Sequence, residues 1–202
     1  MLHDNRSDIQ QACLSARQFG VAVPGGAEGL VHFRTLIERH FSFASEEIAI
    51  IDVDFKNAFP SLEWDSIREA IDELLPGIAS WTHWSHLSST RVVLPSGEEL
   101  RCDRGAEQGD PLGPIYCALV LSMMMRRTRA ALEHREVSLF DAWFLDDGQL
   151  ACHLQHADLV LRTLDIEAAR VGAERASGDE AKSVARRIGA SVSSETQSHD
   201  ES

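Results

Sequence analysis

Two adjacent carboxylates, Asp146 and Asp147, lie in the run Phe144-Leu145-Asp146-Asp147-Gly148. Like charges held side by side repel unless a cation, a hydrogen-bond network or a shared proton compensates. The pair is therefore a candidate cation site, provided the chain supplies a third oxygen ligand. Asp54 is the strongest candidate, because it ends the almost continuously apolar run Ile48-Ala49-Ile50-Ile51-Asp52-Val53-Asp54, the pattern of a buried strand. If that strand neighbours the Asp-Asp turn in one sheet, three carboxylates converge on one edge. Such a cluster suits hard, oxygen-ligated divalent cations, and two of them about 3.5–4 Å apart can activate a hydroxyl and neutralise a transferring phosphoryl group.

The elements that must position these groups follow from local pattern. Residues 138–144 and 149–154 are apolar and aromatic enough for short strands, so a hairpin with an Asp-Asp-Gly turn is expected between them. Asp147-Gly148 alone would serve equally as a structural hairpin turn. Helical spacing marks residues 7–19, 27–39, 63–75, 115–133 and 158–173, while residues 91–102 form a second hairpin around Pro95-Ser96-Gly97. Ser61 is the expected N-cap of the helix at 63–75, and Asp110 with Pro111 the expected start of the helix at 115–133. Met123, Met124 and Met125 on that helix are expected to fill core. Arg126, Arg127 and Arg129 near its end form either a small basic patch or a solvated helix end.

Composition narrows the function classes. At 202 residues with 44% apolar and 25% charged residues, the chain is long enough for one substantial domain of ordinary globular type. No run approaches the ~18 apolar residues of a membrane span. The first residues lack the layout of a secretory signal, so an intracellular protein with no membrane partner is expected. Cys13, Cys102, Cys117 and Cys152 form no Cys-x-x-Cys pair and suit buried free thiols. His83-x-x-His86 and His153-x-x-His156 have ligand spacing but no recognised zinc arrangement around them. The net charge of −13 runs against a basic nucleic-acid grip.

Three ordered segments carry a resemblance: Asp54-Phe55-Lys56-Asn57-Ala58-Phe59, then Gly105-Ala106-Glu107-Gln108-Gly109-Asp110-Pro111-Leu112-Gly113-Pro114, then Phe144-Leu145-Asp146-Asp147. Together they resemble the palm motifs of reverse transcriptases, most closely those of non-LTR retrotransposons of the LINE kind. The resemblance implies an α+β fold: a polymerase palm with a small antiparallel sheet, helices packed on one face, partial fingers and no thumb. It implies Asp54, Asp146 and Asp147 as catalytic, metal-binding residues, with a backbone carbonyl from Phe55, and two Mg2+ ions, Mn2+ being an alternative. Phe59 would stack beneath the incoming sugar and exclude a 2'-hydroxyl, although a Phe there equally suits the core. Gln108 and Gly109 would contact template and nascent base pair. Lys182 would protonate departing pyrophosphate, or else be a solvated surface lysine. Gln18-Phe19-Gly20 is similar to the segment between fingers and palm.

On this reading residues 1–45 are a partial fingers segment, 46–188 the palm, and 189–202 a disordered, Ser-rich acidic tail. The expected partners are an RNA template with a DNA primer, and a dNTP. The basic fingers segment and the thumb of the family are not recognisable, which would explain the acidic balance and leave template holding to segments outside the chain. Two alternatives stay open: a catalytically silent retrotransposon-derived fragment, and another palm-like metal-dependent nucleotidyl enzyme. The Gln108-Gly109 loop argues against the second, which has no need of a template-contacting loop.

Overall fold

The structure is a computed structural model that describes residues 5–42, 47–106, 109–176 and 185–188. Its elements in chain order are α1 (Arg6–Ser15), α2 (Gly26–Ser42), β1 (Ile48–Val53), α3 (Ala58–Ser61), α4 (Trp64–Leu74), α5 (Ala79–Ser85), β2 (Thr90–Val93), β3 (Glu99–Cys102), α6 (Gly113–Glu133), β4 (Phe140–Phe144), β5 (Asp147–His153), α7 (Ala157–Arg170) and β6 (Ala185–Ile188).

The apolar run of β1 is an inner strand of an antiparallel sheet of order β4-β5-β1-β6, and both of its faces are covered by packed side chains. Side chains alternate along a strand. Ala49, Ile51, Val53 and the following Phe55 accordingly enter the main core, while Ile48 and Ile50 meet Ile37 of α2 and Ala151 in a smaller cluster on the opposite face. The main helical layer is built on α6, whose residues from Ile115 to Met125 are all buried. Its three consecutive methionines lie in the core as expected, where flexible thioether side chains fill irregular gaps. The amphipathic α4 lays Ile67, Ala70 and Ile71 against this layer, and α7 adds Val160, Leu164 and Ala168.

The α+β palm expected from sequence is the observed architecture, a small antiparallel sheet backed by a helical layer. The second hairpin forms as β2 and β3, and residues 79–85, which carry no clear sequence signal, form α5.

Three local expectations are corrected. Ser61 does not cap α4: it closes the short α3, where its hydroxyl donates to the Asn57 carbonyl at 2.7 Å. The chain then passes through an extended Glu63 into α4. Asp110 does not open α6 directly, because its carboxylate accepts the Leu112 N–H at 2.8 Å and its carbonyl the Gly113 N–H at 3.0 Å. That turn sets the helix start at Gly113, with Pro114 inside the first turn. The tip of the β4–β5 hairpin is Leu145-Asp146, not Asp147-Gly148, since Phe144 pairs with Asp147 and Trp143 with Gly148.

Gln108 and Lys182, together with residues 189–202, lie outside the described residues. Among the described residues no helix is long and apolar enough to cross a membrane.

Candidate active site

The hairpin tip is where local preference and tertiary demand conflict. Asp-Gly favours a tight turn, yet Gly148 is spent on packing: a Cβ there would run into the six-membered ring of Trp143. Trp143 is buried, stacks on Phe55 with ring centroids 6.0 Å apart, and donates its Nε1–H to Asp141 at 3.1 Å. The turn therefore falls two residues earlier, and Leu145 takes the left-handed conformation at φ 54°. That region is unfavourable for a branched side chain. Residues 16–20 run along the outer edge of β4 and support the turn from outside. Trp143 donates to the Arg17 carbonyl at 2.9 Å and accepts the Phe19 N–H at 2.7 Å.

Arg17 and Arg129 both reach the buried carboxylate of Asp141, at 2.7 and 3.2 Å. Burial pushes the Asp141 carboxyl above its ordinary range, and the two guanidinium groups offset only part of that rise. Arg129 also donates to the Ala16 carbonyl. Arg126 pairs with Glu73 and Arg127 with Glu69, so this arginine cluster is neutralised by α4 and β4 rather than standing as a basic patch.

The β1–β5 register pairs Asp52 with Gln149 and Val53 with Gly148. Asp54 and Asp147 each stand one step past that last pair, where opposed side chains in antiparallel strands come within about 5 Å at Cβ. Both line one recess of about 360 Å³ with Asp52, Gln149, and Leu30 and Arg34 of α2. Asp52 shares the recess face because it stands two residues before Asp54. Arg34 bonds Asp52 at 3.3 Å and Glu38 at 3.2 Å, which holds a cation at the recess wall. Gln149 Oε1 is buried without a hydrogen-bond partner among the described residues.

Asp146 is half-buried in the turn, on the side of α6. Burial pushes the Cys117 thiol up to about 12, and the charge of Asp146 adds to that rise.

The backbone around Asp54 is fixed by residues 174–176. Ala176 donates to the Asp54 carbonyl and Lys56 to the Glu174 carbonyl, both at 2.8 Å, and Phe55 bridges Arg175. Phe55 is buried. Phe59 is half-buried, packs against the main core and accepts the Ala106 N–H through its carbonyl at 2.8 Å; it does not line the recess. Gly109 is exposed at φ 97°, a left-handed conformation that suits glycine.

Among the described residues the paired histidines are not gathered with a third metal-ligating side chain. His83 bonds Asp72, His86 is committed to the Thr82 carbonyl, and the His153 and His156 rings meet edge to face. Cys13, Cys117 and Cys152 are buried free thiols as expected, whereas Cys102 is exposed on β3.

Sequence reasoning missed Arg34 and the support from residues 16–20. The Asp52 side of the recess had a readable signal in the two-residue spacing Asp52-x-Asp54. Arg34 had none, since a guanidinium on α2 meets β1 only through the fold.

A mixed helical layer on a small antiparallel sheet, with carboxylates at the sheet edge, defines a palm-like domain. No protein-family model matches the chain. Over 85 residues it is 36% identical to the retrovirus-related Pol polyprotein from type-1 retrotransposable element R2 of Nasonia vitripennis, a match covering 40% of this chain and 8% of that protein. Among solved structures it is similar to telomerase from Candida tropicalis in complex with a TWJ fragment of telomeric RNA. That match has a TM-score of 0.64 and 16% identity, over 95% of this chain and 34% of that one. Telomerase from Candida albicans, in complex with the same kind of fragment, matches with a TM-score of 0.63 and 15% identity over 90% and 33%. The chain thus spans under a tenth of the retrotransposon protein and about a third of these telomerase chains. It shares the fold of these telomerase structures and, over 85 residues, a sequence likeness to the retrotransposon polyprotein.

Proposed function

We propose that this chain is the palm of an RNA-directed DNA polymerase. The observation that carries the reading is the placement of Asp54 and Asp147 side by side in one recess, past the last pair of the β1–β5 ladder, with Asp146 in the adjoining turn. The order of the three sequence segments and the likeness to the R2 polyprotein support the polymerase class.

The donor set fits Mg2+. Among the described residues no three His, Cys, Asp or Glu side chains are gathered into a complete metal site. Mg2+ rarely uses such a cage; it keeps several waters and binds through one or two carboxylates plus substrate phosphates. Asp54, Asp146 and Asp147 would hold two ions, with the Phe55 carbonyl as a further oxygen and Mn2+ as a substitute. Bound there, the ions would acidify the primer 3'-hydroxyl and neutralise charge on the triphosphate.

The chain's own residues would position the reactants, which is the larger protein contribution in such reactions. The primer 3'-oxygen forms a bond to the α-phosphorus of the dNTP while the bond to pyrophosphate breaks. Phe59 would sit under the sugar, Gln108 and Gly109 against template and nascent base pair, and Lys182 would return a proton to the leaving group. The template would be RNA and the primer DNA.

Primer extension on an RNA template, by a polypeptide carrying this chain in Mg2+, tests the assignment. Asp146→Asn is expected to abolish dNTP incorporation; full activity of that variant would sink the reading. A second reading, a palm that folds without turnover, draws support from the net charge of −13 and from the acidic partners of Arg126, Arg127 and Arg129. Absence of incorporation by the wild-type sequence under conditions where Mn2+ binds the recess would favour it.

A further inference from the structure

Gln18 is 1% exposed and lies beside Trp143, on the far side of β4 from β5. Its side chain closes on one peptide segment of the hairpin tip from two directions. Its Oε1 accepts the Leu145 N–H at 2.7 Å, and its Nε2 donates to the Leu145 carbonyl at 3.0 Å. The same Oε1 accepts the Gly20 N–H at 3.0 Å. Leu145 is the residue held at φ 54°, and its carbonyl belongs to the peptide bond that leads into Asp146.

We propose that Gln18 is a positioning residue for the catalytic hairpin: it holds Leu145 in its left-handed turn and thereby sets where Asp146 and Asp147 present their carboxylates. The inference rests on the polymerase reading of those aspartates.

Five observations converge on it. A leucine in the left-handed region costs roughly 1–2 kcal/mol and persists only where its surroundings over-determine it. The two bonds from Gln18 fix both ends of that residue. A carboxamide is the side chain that can accept from the N–H and donate to the carbonyl of one residue at this reach; Glu keeps the acceptor and loses the donor, and Asn is one methylene short. Gly20 permits the approach, because a Cβ there would lie 2.5 Å from the Leu145 nitrogen and 2.8 Å from its Cγ. The backbone on either side of Gln18 is itself bonded to Trp143, so the carboxamide is fixed before it grips the turn.

The test measures Mn2+ affinity of the chain by electron paramagnetic resonance titration and protection of the Leu145 amide by hydrogen exchange. The variants are Gln18→Ala, Gln18→Glu, Asp146→Asn and the double variant Gln18→Ala with Leu145→Gly. Loss of groups that orient metal ligands typically weakens metal binding 10- to 100-fold. Gln18→Ala is expected to bind Mn2+ about tenfold more weakly and to lose protection at Leu145, with its melting transition still cooperative. In primer extension kcat should fall while KM for dNTP holds. The double variant is expected to recover part of the Mn2+ affinity, because glycine adopts positive φ without strain. A purely structural role for Gln18 would not produce rescue at residue 145.

Should Gln18→Ala unfold, Gln18→Glu carries the same measurement in nearly the same volume. Wild-type Mn2+ affinity in a folded Gln18 variant, when Asp146→Asn has lost binding, overturns this proposal alone. Full polymerisation by Asp146→Asn overturns the polymerase reading, and with it the catalytic part of the proposal. Retained protection of the Leu145 amide in Gln18→Ala overturns the positioning part whatever the chemistry.

Discussion

Gly148 shows how a single missing Cβ sets the geometry of the site. Trp143 fills the space above it and stacks on Phe55, the residue that follows Asp54, so ring, glycine and aspartate share one packing unit. Gly148→Ala would drive a methyl into the indole and either displace Trp143 or part β4 from β5. Inserting one methyl into a filled site typically costs about 1–3 kcal/mol. A urea melt is expected to show a loss in that range, and metal affinity should fall with it because Asp147 is the next residue. An unchanged melting midpoint would mean that the indole yields more cheaply than its burial indicates.

At the scale of elements, α4 and α6 are joined by ion pairs across their exposed edges, Glu73 to Arg126 and Glu69 to Arg127. The hydrogen bond from Arg126 holds the Glu73 carboxyl below its ordinary 4.5. A carboxyl lowered in the folded state contributes stability that is present above 4.5 and lost as pH falls through that value into the depressed range. Both partners are about half exposed, so the effect is small. Comparing denaturant midpoints at pH 7 and pH 3, Glu73→Gln is expected to lose less stability on acidification than the wild type; equal losses would show the pair to be inert.

The elements also show how far sequence reached. β1, α4, α6 and both hairpins were legible because each obeys one local period and ends at recognisable residues. The exact turn was not. Asp147-Gly148 is the stronger local signal, and it lost to the indole of Trp143 and to a glutamine 127 residues away. Asp54 and Asp147, named from the resemblance, line one recess because β1 and β5 are neighbours, an adjacency that the strand patterns already suggested. Arg34 was not legible, and Gln18 was legible only as part of a family segment, because each acts through a contact that exists only once α2 and residues 16–20 have docked.

For the whole molecule, charge and core pull in different directions. α1, the sheet and the α4–α6–α7 layer contribute to one main core, so the described residues should unfold together. The net charge of −13 opposes binding to a phosphate backbone, and Arg126, Arg127 and Arg129 of α6 are already engaged by carboxylates. Proteins that hold duplexes through many phosphate contacts lose roughly 10³–10⁵ in affinity between 50 and 200 mM salt, because counterions are released on binding. This chain is expected to bind an RNA–DNA duplex weakly and with a much shallower salt dependence, measured by fluorescence anisotropy. A steep decline would reveal a basic contact surface that the ion pairs do not account for.

The knot of Arg17, Asp141 and Arg129 has a consequence for the order of events during synthesis. Arg17 leaves the ribosome 124 residues before Asp141, an interval of roughly 6–25 s at ordinary elongation rates of about 5–20 residues per second. For that time the nascent segment has no β4 to lie against, and Gln18 has no turn to grip. Residues 16–20 thus settle only after β4 has emerged, and the acidic tip cannot take its final shape before then.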